Sequence, residues 1–300
     1  MKKLLAFLSD VRCGLVLCIL LCMHAGAGSG DFSSDKKCKI SGDKPNAPKA
    51  CGAAWQGGML YGRADGMEVF YDGKKISLND VFVVGFGRDA PDTVKLSFCK
   101  TGCKDCKDYS YAIEKRKYRE QEIKVPDKYT EYPPEIEKRI ARENAEIAAA
   151  RSGAAADTAT YFMNLRLPEN LHDIRISGVY GSGRKFNGQV KSPHKGVDWA
   201  APTGTLVYSF APGRVVLAAD HYMNGKIVII AHGHDITTSY LHFSKINVKV
   251  GDKVGYDTVI GEVGGTGRAS GPHLHAQLNW GSVAIDLGLF VLGEKKSDEK

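Results

Sequence analysis

His273-Leu274-His275 heads a β-type stretch that runs on through Ala276, Gln277 and Leu278 to Asn279. Successive side chains of a strand point to opposite faces, so His273 and His275 address one point while Leu274 turns into a core. Outward from it, from about Ile174, the sequence repeats short strand-like runs: Thr205 to Phe210, Arg214 to Ala218, Lys226 to Ala231, Thr237 to His242 and Val259 to Val263. Gly, Asn and Asp turns join them, and no helical period lies between. This half is expected to be mainly antiparallel β. It also holds seven of the nine histidines: His194, His221, His232, His234, His242, His273 and His275. The glycine cluster Gly264 to Gly271 lacks the Lys-Ser/Thr of a phosphate loop and the strand-to-helix setting of a dinucleotide site, which argues against a nucleotide function.

A second pattern, His194-Lys195-Gly196-Val197-Asp198, offers an imidazole and a carboxylate four apart. Gly196 and the following Ala200-Ala201-Pro202-Thr203-Gly204 argue for a strand or turn here, although the spacing would also suit a helix. Catalytic zinc takes three nitrogen or oxygen ligands and keeps one position for water, whose pKa it lowers toward about 7. Each pattern alone is a weak signal. The surrounding sequence adds Ser192-Pro193 before His194, Trp199-Ala200-Ala201-Pro202-Thr203-Gly204-Thr205 after Asp198, Ser239-Tyr240-Leu241-His242, Val250-Gly251-Asp252-Lys253-Val254, and Gly264-Gly265-Thr266-Gly267-Arg268-Ala269-Ser270-Gly271-Pro272 before His273.

In this order and spacing, the stretch from about 174 to 290 resembles the lysostaphin and LytM-type zinc metallopeptidases. The resemblance implies a LytM-like antiparallel β catalytic domain with a duplicated hybrid motif over 161–293. It also implies one zinc ion held by His194, Asp198 and His275, with His242 and His273 as catalytic groups in proton transfer or transition-state stabilisation. The chain has no H-E-x-x-H, so a base must come from elsewhere, and imidazole with a pKa near 6.5 suits the task; which of the two histidines acts as base stays open. Tyr180, Arg184 and Asn187 lie in a segment resembling the entry to the family's groove and are candidate substrate contacts, with a turn-forming role equally open for Asn187-Gly188. His232 is expected to be structural, and His221 and His234 to be turn residues. Ala276 and Gln277 depart from the aromatic and Glu or Gly common in the family, a change expected at the groove wall. The implied activity is an endopeptidase cutting peptidoglycan stem peptides or cross-links, with a metal-free activator of cell-wall amidases and an envelope-binding structural protein as rivals.

Pro133-Pro134 precedes Glu135 to Arg151, which lacks Gly and Pro and sets Ile136, Ile140 and Ile147 along one helical face. A single connecting helix is expected within a connector over 125–160, lying on a neighbouring surface or simply solvated. Before it, 38–124 is Gly-, Lys- and Cys-rich, with β-type runs Met67 to Tyr71, Val81 to Phe86 and Val94 to Phe98, and should form a small β-rich N-terminal domain. Cys99-x-x-x-Cys103-x-x-Cys106 lacks a fourth nearby Cys or His, so a disulfide is favoured over a metal cluster.

The N-terminal apolar run Cys13 to Met23 follows Lys2, Lys3 and Arg12 and precedes Ala25-Gly26-Ala27, the pattern of an export signal over 1–27. An uncleaved anchor is the alternative. Cleavage would take the formal charge from +7 to +5 and leave Cys38, Cys51, Cys99, Cys103 and Cys106, an odd number. The run is shorter than the roughly 20 residues that span a bilayer, so no transmembrane span is expected in the mature chain. With 300 residues, 43% apolar and 25% charged, the chain suits about two globular domains. No arginine-rich arm points to nucleic acid, and the mild positive charge fits a polyanionic matrix such as a cell wall or an anionic membrane surface. The periplasm or envelope of a Gram-negative cell is what the likeness of Val125 to Arg151 to the segment preceding the peptidase domain in some Gram-negative members implies. Residues 294–300 form a charged tail.

Overall fold

The computed structural model describes residues 39–102, 105–123, 132–154, 157–186 and 189–292. The expected signal (1–27), the charged tail (294–300), Cys38, Cys103 and Asn187 lie outside the described residues. Among the described residues no helix is long and apolar enough to cross a membrane.

The first part of the chain forms β1 (Cys51–Ala53), β2 (Met59–Arg63), β3 (Met67–Tyr71), β4 (Lys74–Lys75), β5 (Ser77–Leu78), β6 (Val81–Gly85), β7 (Thr93–Lys100), β8 (Cys106–Ala112) and β9 (Glu120–Ile123). Strands β1–β8 build two four-stranded sheets, ordered β1-β2-β6-β5 and β4-β3-β7-β8. In β7, Val94, Leu96 and Phe98 are buried while Thr93 and Lys95 are exposed, the alternation of a strand with one dry face. Strand β6 is buried throughout, as its unbroken Val-Phe-Val-Val run requires. The Phe82 and Phe98 rings meet edge to face with centroids 5.5 Å apart, which joins the two sheets. Cys99 and Cys106 are disulfide-bonded across β7 and β8, and Cys51 is disulfide-bonded as well.

Helix α1 (Pro134–Ser152) follows. Its isoleucines are only half-buried; the buried residue is Glu143. Ile147 packs on a small apolar patch of Ile227, Ile229 and Leu241, so the helix lies on a neighbouring sheet. Its firmest anchor is polar: the Glu143 carboxylate accepts from the Tyr222 backbone N–H at 2.8 Å and from Arg139 Nε at 2.6 Å.

The second part comprises β10 (Ile176–Gly178), β11 (Gly183–Phe186), β12 (Gln189–Lys191), β13 (Val197–Trp199), β14 (Leu206–Tyr208), β15 (Gly213–His221), β16 (Gly225–Ala231), β17 (Ile236–Phe243), β18 (Lys245–Ile246), β19 (Lys253–Val254), β20 (Val259–Glu262), β21 (Leu274–Trp280) and β22 (Val283–Ile285). A short helix α2 (Leu287–Val291), capped by Asp286, is an addition to the one helix expected from sequence. The main sheet runs β10-β13-β21-β17-β16-β15-β19, with β22 beside β21. Its pairings are antiparallel, and the protein is mainly β as expected. Behind it lies the three-stranded sheet β14-β20-β18. Trp199, Phe210, Tyr240 and Phe243 fill the interior, all fully buried.

The two β-rich parts share one apolar cluster, extending from Ala50 through Phe82 and Phe162 to Trp280 and Leu287. Gly85 is bare where Trp280 and Ile285 press closest; a Cβ there would stand 2.7 Å from that of Trp280. Across the same seam Arg116 and Asp286 form an ion pair at 2.8 Å, both side chains almost fully buried. Strand β9 runs parallel to β11 in a further three-stranded sheet, the parallel pairing that joins the two parts.

Candidate metal centre

Three adjacent strands place the site. Strand β13 sets Asp198 opposite His275 on β21, and β17 sets Leu241 opposite the same His275. The strand period then does what the sequence required: Leu274 is fully buried in the core, while His273 and His275 both face Asp198. His194 comes from the loop before β13. Its Nε2 lies 3.1 Å from Asp198 Oδ1 and 3.1 Å from His275 Nδ1, and His275 Nδ1 lies 2.8 Å from the same Oδ1. His194, Asp198 and His275 are the group found among the described residues with the geometry to hold a metal ion.

Hydrogen bonding fixes what these atoms present. His194 Nδ1 is 2.9 Å from the Val179 carbonyl, which can only accept, so the ring proton sits on Nδ1 and Nε2 offers a lone pair. That lone pair faces a carboxylate oxygen and another imidazole nitrogen. Converging acceptors repel unless a cation or proton lies among them, and two nitrogens with one oxygen suit a zinc-like ion whose bonds are about 2.0–2.2 Å. The residues therefore fit a metal. Burial opposes ionisation of Asp198, but its close contact with the His194 and His275 rings outweighs this and holds the carboxyl below the usual carboxylate range. Burial pushes His275 down, away from the protonated form that could not bind a metal. Two glycines make the approach possible: a methyl at Gly178 would overlap the Asp198 carboxylate, and one at Gly196 would stand 2.8 Å from His275 Nε2.

His242 and His273 flank this group, with ring centroids 4.8 Å apart. His242 donates Nδ1–H to the Thr266 carbonyl at 2.8 Å, and His273 donates Nδ1–H to the Gly271 carbonyl at 2.8 Å, so each holds Nε2 as an acceptor. Burial pushes His242 down to about 4, which keeps it neutral at physiological pH. Its backbone is left-handed, φ 65°, a conformation most side chains avoid and one that concentrates at functional sites. Its N–H donates to the Asn224 carbonyl at 3.0 Å. The hairpin turn at Tyr222–Gly225 is stitched to the opposite loop, with Lys226 N–H on Thr266 Oγ1 and Arg268 N–H on the Met223 carbonyl, each 2.9 Å. All five site residues line a groove of about 1000 Å³.

Other expectations fare differently. Tyr180 does not reach the groove: it is buried, donates its hydroxyl to the Ala284 carbonyl at 2.9 Å and meets Tyr118 edge to face, so the expected substrate contact is corrected to a place in the seam. The Arg184 side chain and Asn187 fall outside the described residues. Ala276 faces the core, whereas Gln277 lines the groove. His232 is fully buried between the Pro212 carbonyl and Thr238 Oγ1, both 2.7 Å away. His234 sits in a turn, while His221 ends β15 and packs against Glu146 at 3.1 Å. Arg175 and Arg268 also line the groove; Arg268 lies in the glycine-rich run before His273, whereas nothing in the local pattern marks Arg175.

A His-Asp-His cluster on an antiparallel sheet, flanked by two further imidazoles in an open groove, is an arrangement able to hold one metal ion beside two proton-accepting groups. Residues 192–287 match the model of peptidase family M23. The peptidoglycan DD-endopeptidase ShyA of Vibrio cholerae is 49% identical over 87 residues, covering 29% of this chain and 20% of that protein. The peptidoglycan DD-endopeptidase ShyC of the same organism is 42% identical over 103 residues, 34% of this chain and 24% of its own length. The chain thus spans about a fifth to a quarter of the length of these relatives. A crystal structure of a candidate M23 peptidase from Pseudomonas aeruginosa superposes with a TM-score of 0.55 at 28% identity, covering 80% of this chain and 96% of that one.

Proposed function

We propose that this protein is an exported zinc-dependent endopeptidase that hydrolyses peptide bonds in peptidoglycan stem peptides or cross-links, working in the bacterial envelope. The observation that carries the reading is the convergence of His194 Nε2, Asp198 Oδ1 and His275 Nδ1 to within 3.1 Å on the floor of a groove. These three residues would hold the zinc. Bound there, zinc supplies Lewis acidity that polarises a scissile carbonyl and makes water a competent nucleophile near neutral pH. His194 keeps its proton on Nδ1 through Val179, so its coordinating nitrogen stays unprotonated. His242 and His273 present Nε2 lone pairs to the groove, so either can accept the proton lost by water; the ring that has gained it can donate Nε2–H to the tetrahedral oxyanion and then pass the proton to the leaving amine. Arg175, Lys195 and Arg268 line the groove, where Asp198 is the acidic residue. That surplus of positive charge suits a substrate bearing free carboxylates, as peptidoglycan stems do. The named activity of ShyA and ShyC points the same way.

The deciding experiment is digestion of purified sacculi, followed by mass analysis of the released fragments. New amino termini within stems or cross-links are expected, abolished by a chelator and restored by zinc. Intact sacculi with zinc-loaded protein would overturn the reading. His194→Ala and Asp198→Ala are expected to lose zinc and turnover together.

A further inference from the structure

The segment Val179–Ser182 wraps His194. The Val179 carbonyl accepts from the ring, Gly181 N–H donates to the His194 carbonyl at 2.8 Å, and His194 N–H donates to the Ser182 carbonyl at 3.0 Å. The far side of the same segment is held by the N-terminal part. Arg88 Nε donates to the Gly181 carbonyl at 2.7 Å, and Gly183 N–H donates to the Arg119 carbonyl at 2.8 Å. Two relays result, each one residue or one peptide plane deep. Gly181 receives Arg88 on its carbonyl and gives its N–H to His194, while the Ser182–Gly183 peptide takes the His194 N–H on one side and gives its own N–H to Arg119 on the other. Arg88 is itself braced, with its guanidinium 4.6 Å from the Tyr118 ring centroid and Nη1 on Asp89 at 2.7 Å. Tyr118 is anchored by its hydroxyl on the Gln56 carbonyl at 3.0 Å and packs so closely on Gly181 that a methyl there would overlap the ring.

We propose that Arg88 is a positioning residue for the metal site, and that the N-terminal β-rich part thereby sets the zinc affinity of His194. The inference rests on the metal site proposed above. Groups that orient a metal ligand through one hydrogen bond typically govern affinity by about 10–100-fold. Arg88 acts one step further out, through Gly181. Arg88→Ala is therefore expected to weaken zinc binding by about fivefold to tenfold, and Arg88→Lys, which keeps the charge and loses the planar Nε donor, by nearly as much.

The test is competition of the full chain with a chromophoric chelator for zinc, beside the melting temperature of the metal-free protein. Lys74→Ala is the control, because Lys74 pairs with Asp235 at 3.2 Å and lies over Trp280 in the same seam, away from the 179–182 segment. The expected result is weakened zinc binding in both Arg88 variants, an unchanged metal-free melting temperature, and Lys74→Ala within twofold of the parent. Unchanged affinity in both Arg88 variants would overturn the proposal, and so would an equal loss in Lys74→Ala, since that marks general loosening of the seam. His194→Ala separates the two layers of argument: retention of stoichiometric zinc there overturns the metal site itself, not the positioning role alone.

Discussion

The two flanks of the groove are built from different materials. On the His194 flank, a main-chain hydrogen bond from Gly183 to Arg119 and the bond from Arg88 Nε to the Gly181 carbonyl lock the loop to the N-terminal part. On the His242 flank, the hairpin turn is gripped by α1 through carboxylates: Glu143 on the Tyr222 N–H and Glu146 on His221, with Glu146 about half exposed. Main-chain bonds are little affected by salt, whereas the half-exposed Glu146–His221 contact is weak and screened. A ligand whose nitrogen must stay fixed sits on the first flank. His242, proposed above as a proton carrier, sits on the second.

The comparison can be broken or sharpened in order of effect. His242→Asn should retain zinc and lose turnover by about 10²–10⁴-fold. Asn tolerates the left-handed backbone at 242, so the loss isolates the imidazole from the strain. Turnover within threefold of the parent would remove His242 from the chemistry. Next comes Asp286→Ala, which strands the buried Arg116 guanidinium and removes the acceptor for Gly288 N–H at 2.8 Å; unfolding in urea should register about 3–5 kcal/mol of lost stability.

A third effect belongs to the core that both flanks share. Burial pushes His232 down to about 4, below the value of about 6.5 it regains when unfolded, so the unfolded chain binds the extra proton between these values. Stability is full above about pH 6.5 and falls as pH drops toward 4. Between pH 7 and pH 5 the loss should be about 2 kcal/mol, and Thr238→Val should leave that slope in place. A flat urea midpoint over this range would contradict the assignment. The smallest effect is Glu143→Gln, expected to cost about 1 kcal/mol, with a few-fold fall in turnover that mirrors what high salt does to the parent. If it instead lowers zinc affinity, the two flanks are not independent.

Much of this was legible in the chain. The period of two placed His273 and His275 on one face with Leu274 beneath, and the six strand runs of the second half reappear within a few residues of their read boundaries. What escaped has no local period. Arg88 and Gly181 are 93 residues apart, and no pattern near either marks the bond. Tyr180 read as a groove residue because its segment resembles the family's entry to the groove; the seam that buries it is made by Tyr118 and Ala284, from two other parts of the chain. Glu143 read as one more charge on a solvated helix, since its partner is a backbone N–H in a hairpin turn and backbone donors leave no trace in composition. For Cys99-x-x-x-Cys103-x-x-Cys106 a disulfide was legible over a metal cluster, because no fourth ligand lies nearby and export is expected, but the pairing of Cys99 with Cys106 was not: it follows from the register of β7 on β8.

The parallel pairing of β9 with β11 has one more consequence. Residues 120–123 leave the ribosome some sixty residues ahead of 183–186, with α1 between them. The earlier strand can thus stand as a ready-made edge when its partner arrives, and the loop that grips His194 is shaped against a template instead of searching for its form. Moved behind the second half by circular permutation, the same residues would emerge too late to guide that assembly, and folding during synthesis should slow even if the final structure were recovered.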